Sequence, residues 1–161
     1  MARVHMNKAE REIADPAEMI GILSRGKYAT IGLCKGEAPY VVTLSYGYDP
    51  ERRALYFHTA RRGLKLDFLR ANPNACGTVI EDLGYVTDKC SHKYRSVVFY
   101  GRMSIVPVTE ERLHGLEVMA RQLEDNVSRR VDKLARLPDS DWERVEILRL
   151  DIEEMTGKKG E

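Results

Sequence analysis

The chain has 161 residues, of which 26 are basic and 25 acidic, so its formal net charge is +1. A nearly neutral chain has no overall field that attracts nucleic acid or an anionic membrane, and we expect neither as a partner. The length suits one domain, which we predict over residues 1–161 with a core over about 13–156. The longest apolar runs are too short to span a membrane.

Three scattered cysteines, Cys34, Cys76 and Cys90, occur without a signal-peptide pattern. This odd number favours reduced thiols over a disulfide framework. Cys90 and His92 lie two positions apart with no second pair nearby, which is not a metal-site pattern. We therefore expect a soluble cytoplasmic protein without a metal site.

The first half of the chain is predicted to form a helix and three strands. Asp15 followed by Pro16 is typical of a helix N-terminus, and this helix should run to about Ser24. Lys35-Gly36-Glu37 and Asp49-Pro50 have the composition of turns. Before, between and after these turns, β-branched and aromatic residues predict strands over Tyr28–Cys34, Pro39–Tyr48 and Ala54–Ala60. We expect these strands to form a three-stranded meander through Thr59.

The second half is predicted to add two helices and three strands. A helix over Leu64–Ala71 should bury Leu64, Phe68 and Ala71 on one face and end at Asn72-Pro73. Thr109–Leu123 begins with an N-cap residue and two acids and repeats Leu113, Leu116, Met119 or Ala120, and Leu123 at helical spacing. The charged segment Asp125–Leu137 should be a further helix or a lid. The predicted strands are Ala75–Leu83, Ser96–Val108 and a closing strand Trp142–Ile152, with a polar loop over Gly84–Lys93.

A cationic cluster lies where the third strand ends and the next helix begins. It contains His58, Arg61, Arg62 and Lys65. The usual fate of such a charge run is a solvated face. Helix N-termini, however, present unpaired backbone N–H groups to anions, and Lys and Arg form charge-assisted bonds to phosphate. The cluster is therefore a candidate phosphate site, with Lys65 and then Arg62 as the favoured ligands.

Four segments, in the same order, resemble a known family of flavoproteins. They are Ile22–Gly32, Tyr40–Tyr48, Tyr56-Phe-His-Thr-Ala60 and Cys90-Ser-His-Lys-Tyr-Arg-Ser-Val-Val98. Together they resemble the pyridoxamine 5′-phosphate oxidase-like family with an FMN-binding split barrel, within it the nitroimidazole-reductase-like branch. The likeness runs from about Ile13 to about Val106. It implies a mainly β fold with flanking helices, a split β-barrel.

The resemblance also implies an FMN site at the cationic corner. The cofactor-binding residues expected from it are Val42, Thr43, Leu44, Ser45, Tyr46, His58, Thr59, Ala60, Arg62, Gly63, Lys65, Tyr94 and Arg95. Thr43 to Tyr46 would frame the flavin ring, partly through backbone groups, because an alternating strand cannot point every side chain at it. In this branch the histidine matching His58 lies beside the flavin, so His58 is the candidate proton-handling residue, with an ordinary structural role as the alternative.

The family's shared dimer interface implies a homodimer in which the loop carrying Tyr94 and Arg95 approaches the partner's flavin. An ordinary solvent loop is the alternative. The characteristic C-terminal arginine and histidine pairing of authentic pyridoxamine 5′-phosphate oxidases is absent from Trp142–Glu161, so vitamin B6 oxidation is not expected. The chain also lacks a Gly-x-Gly-x-x-Gly fingerprint, so a nicotinamide donor would dock only transiently.

Three functions remain open from the sequence. The first is an FMN-dependent oxidoreductase that passes electrons from NADH or NADPH to a small nitroaromatic or quinone-like substrate. The second is a non-catalytic FMN-binding or storage protein. The third is a haem-binding split barrel with His58 or His92 as the axial ligand. A deazaflavin in place of FMN is compatible with the same corner.

Overall fold

A computed structural model of the protein describes residues 7–107, 109–136 and 138–160. Within this part of the chain a short 3-10 turn at Ala9–Arg11 precedes eight strands and five helices. The strands are β1 (Glu12–Ile13), β2 (Tyr28–Lys35), β3 (Ala38–Ser45), β4 (Gly47–Asp49), β5 (Ala54–Ala60), β6 (Asn74–Val86), β7 (Ser91–Ile105) and β8 (Val145–Gly160). The helices are α1 (Pro16–Arg25), α2 (Leu64–Ala71), α3 (Thr109–Leu123), α4 (Val127–Leu134) and α5 (Asp139–Trp142).

The eight strands form one antiparallel sheet that curls into a split barrel. Its order is β3-β2-β6-β7-β8-β5-β4, with β1 added to β8. β3 and β4 stand at opposite ends of this order although only Tyr46 separates them in the chain, so the two ends of the sheet must approach each other. The predicted mainly β split-barrel fold with flanking helices is confirmed.

Tyr46 is the point at which one predicted strand becomes two. We predicted a continuous strand over Pro39–Tyr48 and a three-stranded meander, and both predictions are wrong, because β3 pairs with β2 and β4 pairs with β5. The side chain of Tyr46 is fully buried, and its hydroxyl donates to the carbonyl oxygen of Leu23 at 2.6 Å. Burying this ring turns the chain from one end of the sheet to the other. Burial also raises the pKa of Tyr46 well above its ordinary value.

The barrel interior holds the main core, and helices close it. Fully buried side chains from the strands include Ile31, Phe57, Phe99 and Leu150, each worth about 1.5–3 kcal/mol of transfer free energy. From α1, Ile22 and Leu23 are buried with them. This helix begins as predicted, since the Asp15 carboxylate accepts a hydrogen bond from the backbone N–H of Ala17 at 2.9 Å.

Helix α2 has the predicted bounds but buries a different face. Leu66, Phe68 and Leu69 are buried, whereas Leu64 is 57% exposed and Ala71 is exposed. The predicted face of Leu64, Phe68 and Ala71 is therefore correct only at Phe68. Which leucines are buried depends on how the helix is oriented over the barrel, and helical spacing alone does not fix that orientation.

Strands β6, β7 and β8 are longer than their sequence patterns indicated. We predicted a polar loop over Gly84–Lys93, but β6 continues to Val86 and β7 begins at Ser91 after a tight turn. The predicted strand Ser96–Val108 ends at Ile105, and Val108 lies outside the described residues. The closing strand was predicted over Trp142–Ile152, but it begins at Val145 and runs to Gly160, which pairs with Tyr94. Both faces of β8 are apolar, because Leu148, Leu150 and Ile152 lie in the main core while Ile147 lies in a second core on the other face.

Helices α3 and α4 form a layer on the outside of β5 and β8. The predicted helix over Thr109–Leu123 is confirmed, and it packs Val118 and Met119 against Ala54, Tyr56 and Ile147 in a second, smaller core. Part of the charged segment Asp125–Leu137 is helical as α4, while Leu137 lies outside the described residues. No helix in the described ranges is both long enough and apolar enough to cross a membrane.

A buried carboxylate ties the β4–β5 turn to α3. Asp49 Oδ1 accepts hydrogen bonds from the backbone N–H groups of Glu51 and Arg52, and Oδ2 lies 2.7 Å from Nε2 of His114 on α3. Burial alone would raise the pKa of Asp49, but the hydrogen bonds from His114 and from the turn N–H groups together hold it below its ordinary value.

We expect this carboxylate to make the free energy of unfolding depend on pH in the acidic range. A carboxyl group whose pKa is lower in the folded state stabilises it above the unfolded pKa, and this contribution is lost as the pH falls through the folded pKa. Asp49→Asn retains a turn acceptor but removes the charge, so it should lower the free energy of unfolding at neutral pH by about 1–3 kcal/mol. Urea denaturation at neutral and at acidic pH should show a smaller acid-induced loss in the variant, and equal losses in both proteins would contradict this role.

Candidate functional site

The split in the barrel wall lies between β3 and β5. β3 pairs with β2 along one edge only, and β4 covers β5 only from Ala54 to Tyr56. Along Phe57–Ala60, β5 therefore has β8 on one side and no described strand on the other. Backbone N–H and C=O groups at such open edges are available to a ligand, which is the kind of contact predicted for β3.

The predicted site residues of β3 are divided between the two faces of the strand. Val42 and Leu44 pack against the barrel core, and the side chain of Tyr46 is buried in it. Thr43 and Ser45 lie on the outer face, where Thr43 Oγ1 is 3.1 Å from Thr30 Oγ1 on β2. Val42, Leu44 and Tyr46 can therefore contribute to a ligand site on the outer side of the split only through their backbone.

The cationic corner has two arginines with different surroundings. Arg61 Nε forms a 2.9 Å ion pair with Glu146 Oε1, and its Nη1 donates to the carbonyl oxygen of Glu143. Arg62 is exposed and Lys65 is half-buried, and neither has an ion pair with any residue that the structure describes. Arg62 and Lys65 are therefore the charges still available to an anion, in agreement with the preference stated from the sequence.

The N-terminus of α2 lies between these two cations. Gly63 precedes the helix with φ of 139°, in a conformation that favours glycine, and no side chain caps the first turn. The backbone N–H of Leu66 bonds back to Gly63, which leaves the N–H groups before it without a helical partner. Unpaired N–H groups beside two free cations are suited to binding phosphate.

Thr59, on the strand that leads into the corner, has a buried hydroxyl that is not paired within the described residues. The residue is 6% exposed. Leaving a buried hydroxyl unpaired costs about 1–3 kcal/mol, so such atoms are rare unless a ligand or water satisfies them. Thr59 lies four residues before Gly63, on the strand that leads into the corner.

His58 points away from Thr59, because successive residues of a strand face opposite sides. Its side chain is exposed beside α3 and makes no hydrogen bond to a described residue. It lies at the mouth of an apolar cavity that is lined by α3, α4, α5 and β8. The sequence pattern indicated His58 as a candidate but did not predict this cavity. The other lining residues lie between Leu116 and Val145, far from His58 in the chain.

Tyr94 and Arg95 lie on β7, which is separated from β3 by β2 and β6. They face opposite sides of the strand, and Arg95 Nε lies 3.6 Å from Glu18 Oε1 on α1. Within one chain they are not brought to the cationic corner. Their predicted contact with the flavin site of a partner subunit stays a prediction, although they lie on a strand and not on the expected loop.

Cys90 and His92 lie at the end of the β6–β7 hairpin. His92 Nε2 is 2.7 Å from Asp82 Oδ1, so this imidazole already has a partner, unlike His58. In the ranges that the structure describes, no three His, Cys, Asp or Glu side chains are grouped so that they could hold a metal ion.

An antiparallel barrel that is split beside a cationic strand-to-helix corner belongs to the split-barrel class of folds. Residues 15–159 match the pyridoxamine 5′-phosphate oxidase family, and the chain belongs to that family. The resemblance seen in the sequence is thereby confirmed.

Three known proteins illustrate the range of this similarity. A Bacteroides thetaiotaomicron protein described as a 5-nitroimidazole antibiotic resistance protein is 23% identical, with a TM-score of 0.77 over 92% of this chain and 86% of that one. The FAD and haem binding protein of Mycobacterium smegmatis is 16% identical, with a TM-score of 0.77 over 94% of this chain and 74% of that one. An uncharacterized protein of Rhizobium meliloti is 25% identical over 109 residues, which are 65% of this chain and 66% of its own length. At these identities the likeness of the structures establishes the fold.

Proposed function

We propose that the protein binds FMN at the split and passes electrons from NADH or NADPH to a small acceptor. The observation that carries this proposal is the uncapped N-terminus of α2 between the unpaired charges of Arg62 and Lys65, with the unpaired, buried hydroxyl of Thr59 four residues earlier on β5. A flavin phosphate would satisfy the N-terminus of α2, with Lys65 and Arg62 supplying charge. When bound, the flavin supplies the hydride and electron-transfer chemistry.

The residues of the chain would have separate tasks in this site. Lys65, Arg62 and the first N–H groups of α2 would hold the phosphate through charge-assisted hydrogen bonds. The open backbone edges of Thr43–Ser45 and Thr59–Ala60 would orient the ring. His58, exposed on the outer side of β5, would donate a hydrogen bond or a proton to the acceptor from its ring nitrogen.

A second copy of the chain would complete the site. The outer face of β2, β3 and β6 carries Tyr28, Val41 and Ile80, which are 64%, 65% and 61% exposed. Large apolar side chains gathered on one sheet face are typical of an interface. A homodimer formed there would cover them and would bring Tyr94 of the partner subunit towards the split.

An absorption spectrum of the purified protein tests the proposal directly. Bands near ~370 and ~450 nm, with FMN identified by mass after denaturation, are expected for a flavoprotein. A deazaflavin or FAD would be recognised by its mass. A colourless protein that also fails to take up added FMN would contradict the proposal. Steady-state oxidation of NADH or NADPH with a quinone then separates an oxidoreductase from a protein that only stores FMN.

Haem is the second candidate ligand, and His58 favours it. The imidazole of His58 is exposed, has no described hydrogen-bond partner and lies beside apolar walls. The M. smegmatis protein of the same fold is described as binding both FAD and haem. A Soret band near ~400 nm that disappears in His58→Ala would establish this alternative.

A further inference from the structure

An apolar cavity lies beside His58, apart from the cationic corner. It has a volume of about 330 Å³ and lies between the helical layer and the barrel wall. Six of its twelve lining residues are apolar and non-aromatic, and these are Leu116, Met119, Ala120, Leu123, Leu134 and Val145. Pockets for small molecules have volumes from about 300 to 1,000 Å³, so this cavity suits a molecule of one or two rings.

The charges at the rim of the cavity cancel. Glu124 and Arg130 face each other at 3.5 Å, and Asp141 and Arg144 add one negative and one positive charge. A rim with no net charge gives an ionic ligand no compensation for the water that it loses on entering apolar walls. The walls and the rim therefore both favour an uncharged ligand.

One aromatic side chain and one imidazole give the cavity its specificity. Trp142 forms part of the lining, and the guanidinium of Arg112 lies 5.3 Å from its ring centroid, which fixes the indole. Arg112 also donates to the carbonyl oxygens of Trp142 and Val145. An indole plane can stack on a flat ring, while His58 at the mouth can donate a hydrogen bond to an oxygen of that ring.

We propose that this cavity binds an uncharged aromatic molecule of one or two rings, with a carbonyl or nitro oxygen directed at His58. Naming this molecule as the electron acceptor rests on the proposed function, whereas the binding itself does not. For a quinone the reaction balances as follows. NADH or NADPH is oxidised and gives up a hydride, one proton comes from solvent, and the quinone becomes a hydroquinone.

The chain offers a direct probe, because Trp142 is its single tryptophan. We would titrate the purified protein with 2,3-dimethyl-1,4-naphthoquinone and follow the indole fluorescence. Both reactive ring positions of this quinone are blocked, so the exposed thiols of Cys76 and Cys90 cannot add to it. Saturable quenching is expected for a bound quinone, whereas quenching that rises linearly without saturation would overturn the proposal.

Two comparisons test the site and the chemistry of its ligand. Leu116→Phe fills the cavity and should weaken quinone binding at least ~10-fold, whereas the matched Leu83→Phe on the distant β6–β7 hairpin should leave it unchanged. A naphthoquinone carrying a ring sulfonate should bind the unmodified protein at least ~10-fold more weakly than the neutral one. Equal or tighter binding of the sulfonate would overturn the proposal even if Leu116→Phe failed to fold.

The result can be separated from the fate of the proposed function. FMN binding is followed by flavin fluorescence, which does not depend on Trp142. Saturable quinone binding by a protein that takes up no FMN would retain the cavity and refute the oxidoreductase. FMN binding without saturable quinone binding would refute the cavity as a ligand site and leave the proposed flavin site standing.

Discussion

Lys65→Glu should weaken FMN binding by more than about 100-fold, and Lys65→Ala by about 10- to 100-fold. A charge-assisted hydrogen bond to phosphate is worth roughly 1.5–3 kcal/mol, and each 1.4 kcal/mol is tenfold in affinity. Glutamate adds repulsion to this loss, at a position that is half-buried and next to the N-terminus of α2. Titration of the flavin-free protein with FMN, followed by flavin fluorescence, gives the dissociation constants.

Arg61→Ala is the matched control for this measurement. Arg61 lies in the same loop, but its guanidinium is held by Glu146 and by the carbonyl oxygen of Glu143. Its removal should therefore change FMN affinity less than ~3-fold, while Arg62→Ala should weaken it about tenfold. An unchanged FMN affinity in Lys65→Glu, or a larger effect of Arg61→Ala than of Lys65→Ala, would contradict the assignment of the phosphate site to this corner.

Gly47→Ala should lower the free energy of unfolding by about 3 kcal/mol, at the upper end of what overpacking costs. Gly47 lies in β4 where α3 crosses it, and an added Cβ would lie 2.5 Å from the backbone N and 2.6 Å from the Cα of Met119. Both atoms belong to the helix backbone, which has no alternative rotamer. The strain can be relieved only if α3 moves away from the barrel. Urea denaturation, with the slope compared between the two proteins, measures the loss.

Gly32→Ala is the control for the glycine effect. A Cβ on Gly32 would meet the Sγ of Cys76 at 3.0 Å on the outer face of the sheet, and a side chain can rotate away. We expect a change of less than about 1 kcal/mol. If Gly47→Ala were as mild as Gly32→Ala, α3 would not be tightly packed on β4. The cavity that depends on α3 would then be less well defined than the structure indicates.

The local signals in the sequence were sufficient where short-range chemistry determines the structure. Asp15 and Pro16 start α1, and the turn at Gly36, with φ of 58°, joins β2 to β3. The apolar spacing of Thr109–Leu123 predicts α3 correctly. The cationic corner was also predicted, because its residues are adjacent in the chain and are positioned by one strand, one loop and one helix end.

The larger errors concern pairing or orientation between distant segments. Tyr46 looks like one more residue of an aromatic strand, and only the buried space beside Leu23 explains why the chain turns there. The polar run Thr156–Gly160 has little strand character of its own. It becomes part of β8 because β7 offers a long edge with which it can pair. Leu64 and Leu66 are equally apolar, and Leu66 is the buried one only because of the way α2 is oriented against the barrel.

The sequence by itself determined the class of fold, most of the helices and strands, and the corner of Arg62, Gly63 and Lys65. The class of fold was implied by the resemblance of four segments to a known family, whereas the helices, the strands and the corner depend on turn chemistry and on residues close together in the chain. Three features were decided only by the tertiary structure. Arg61 forms an ion pair with Glu146, and the Thr59 hydroxyl has no described partner. His58 and Trp142 line the same cavity. The physical reason is that ion pairing, burial and cavity shape depend on contacts across 60 to 90 residues of chain, which local patterns do not encode.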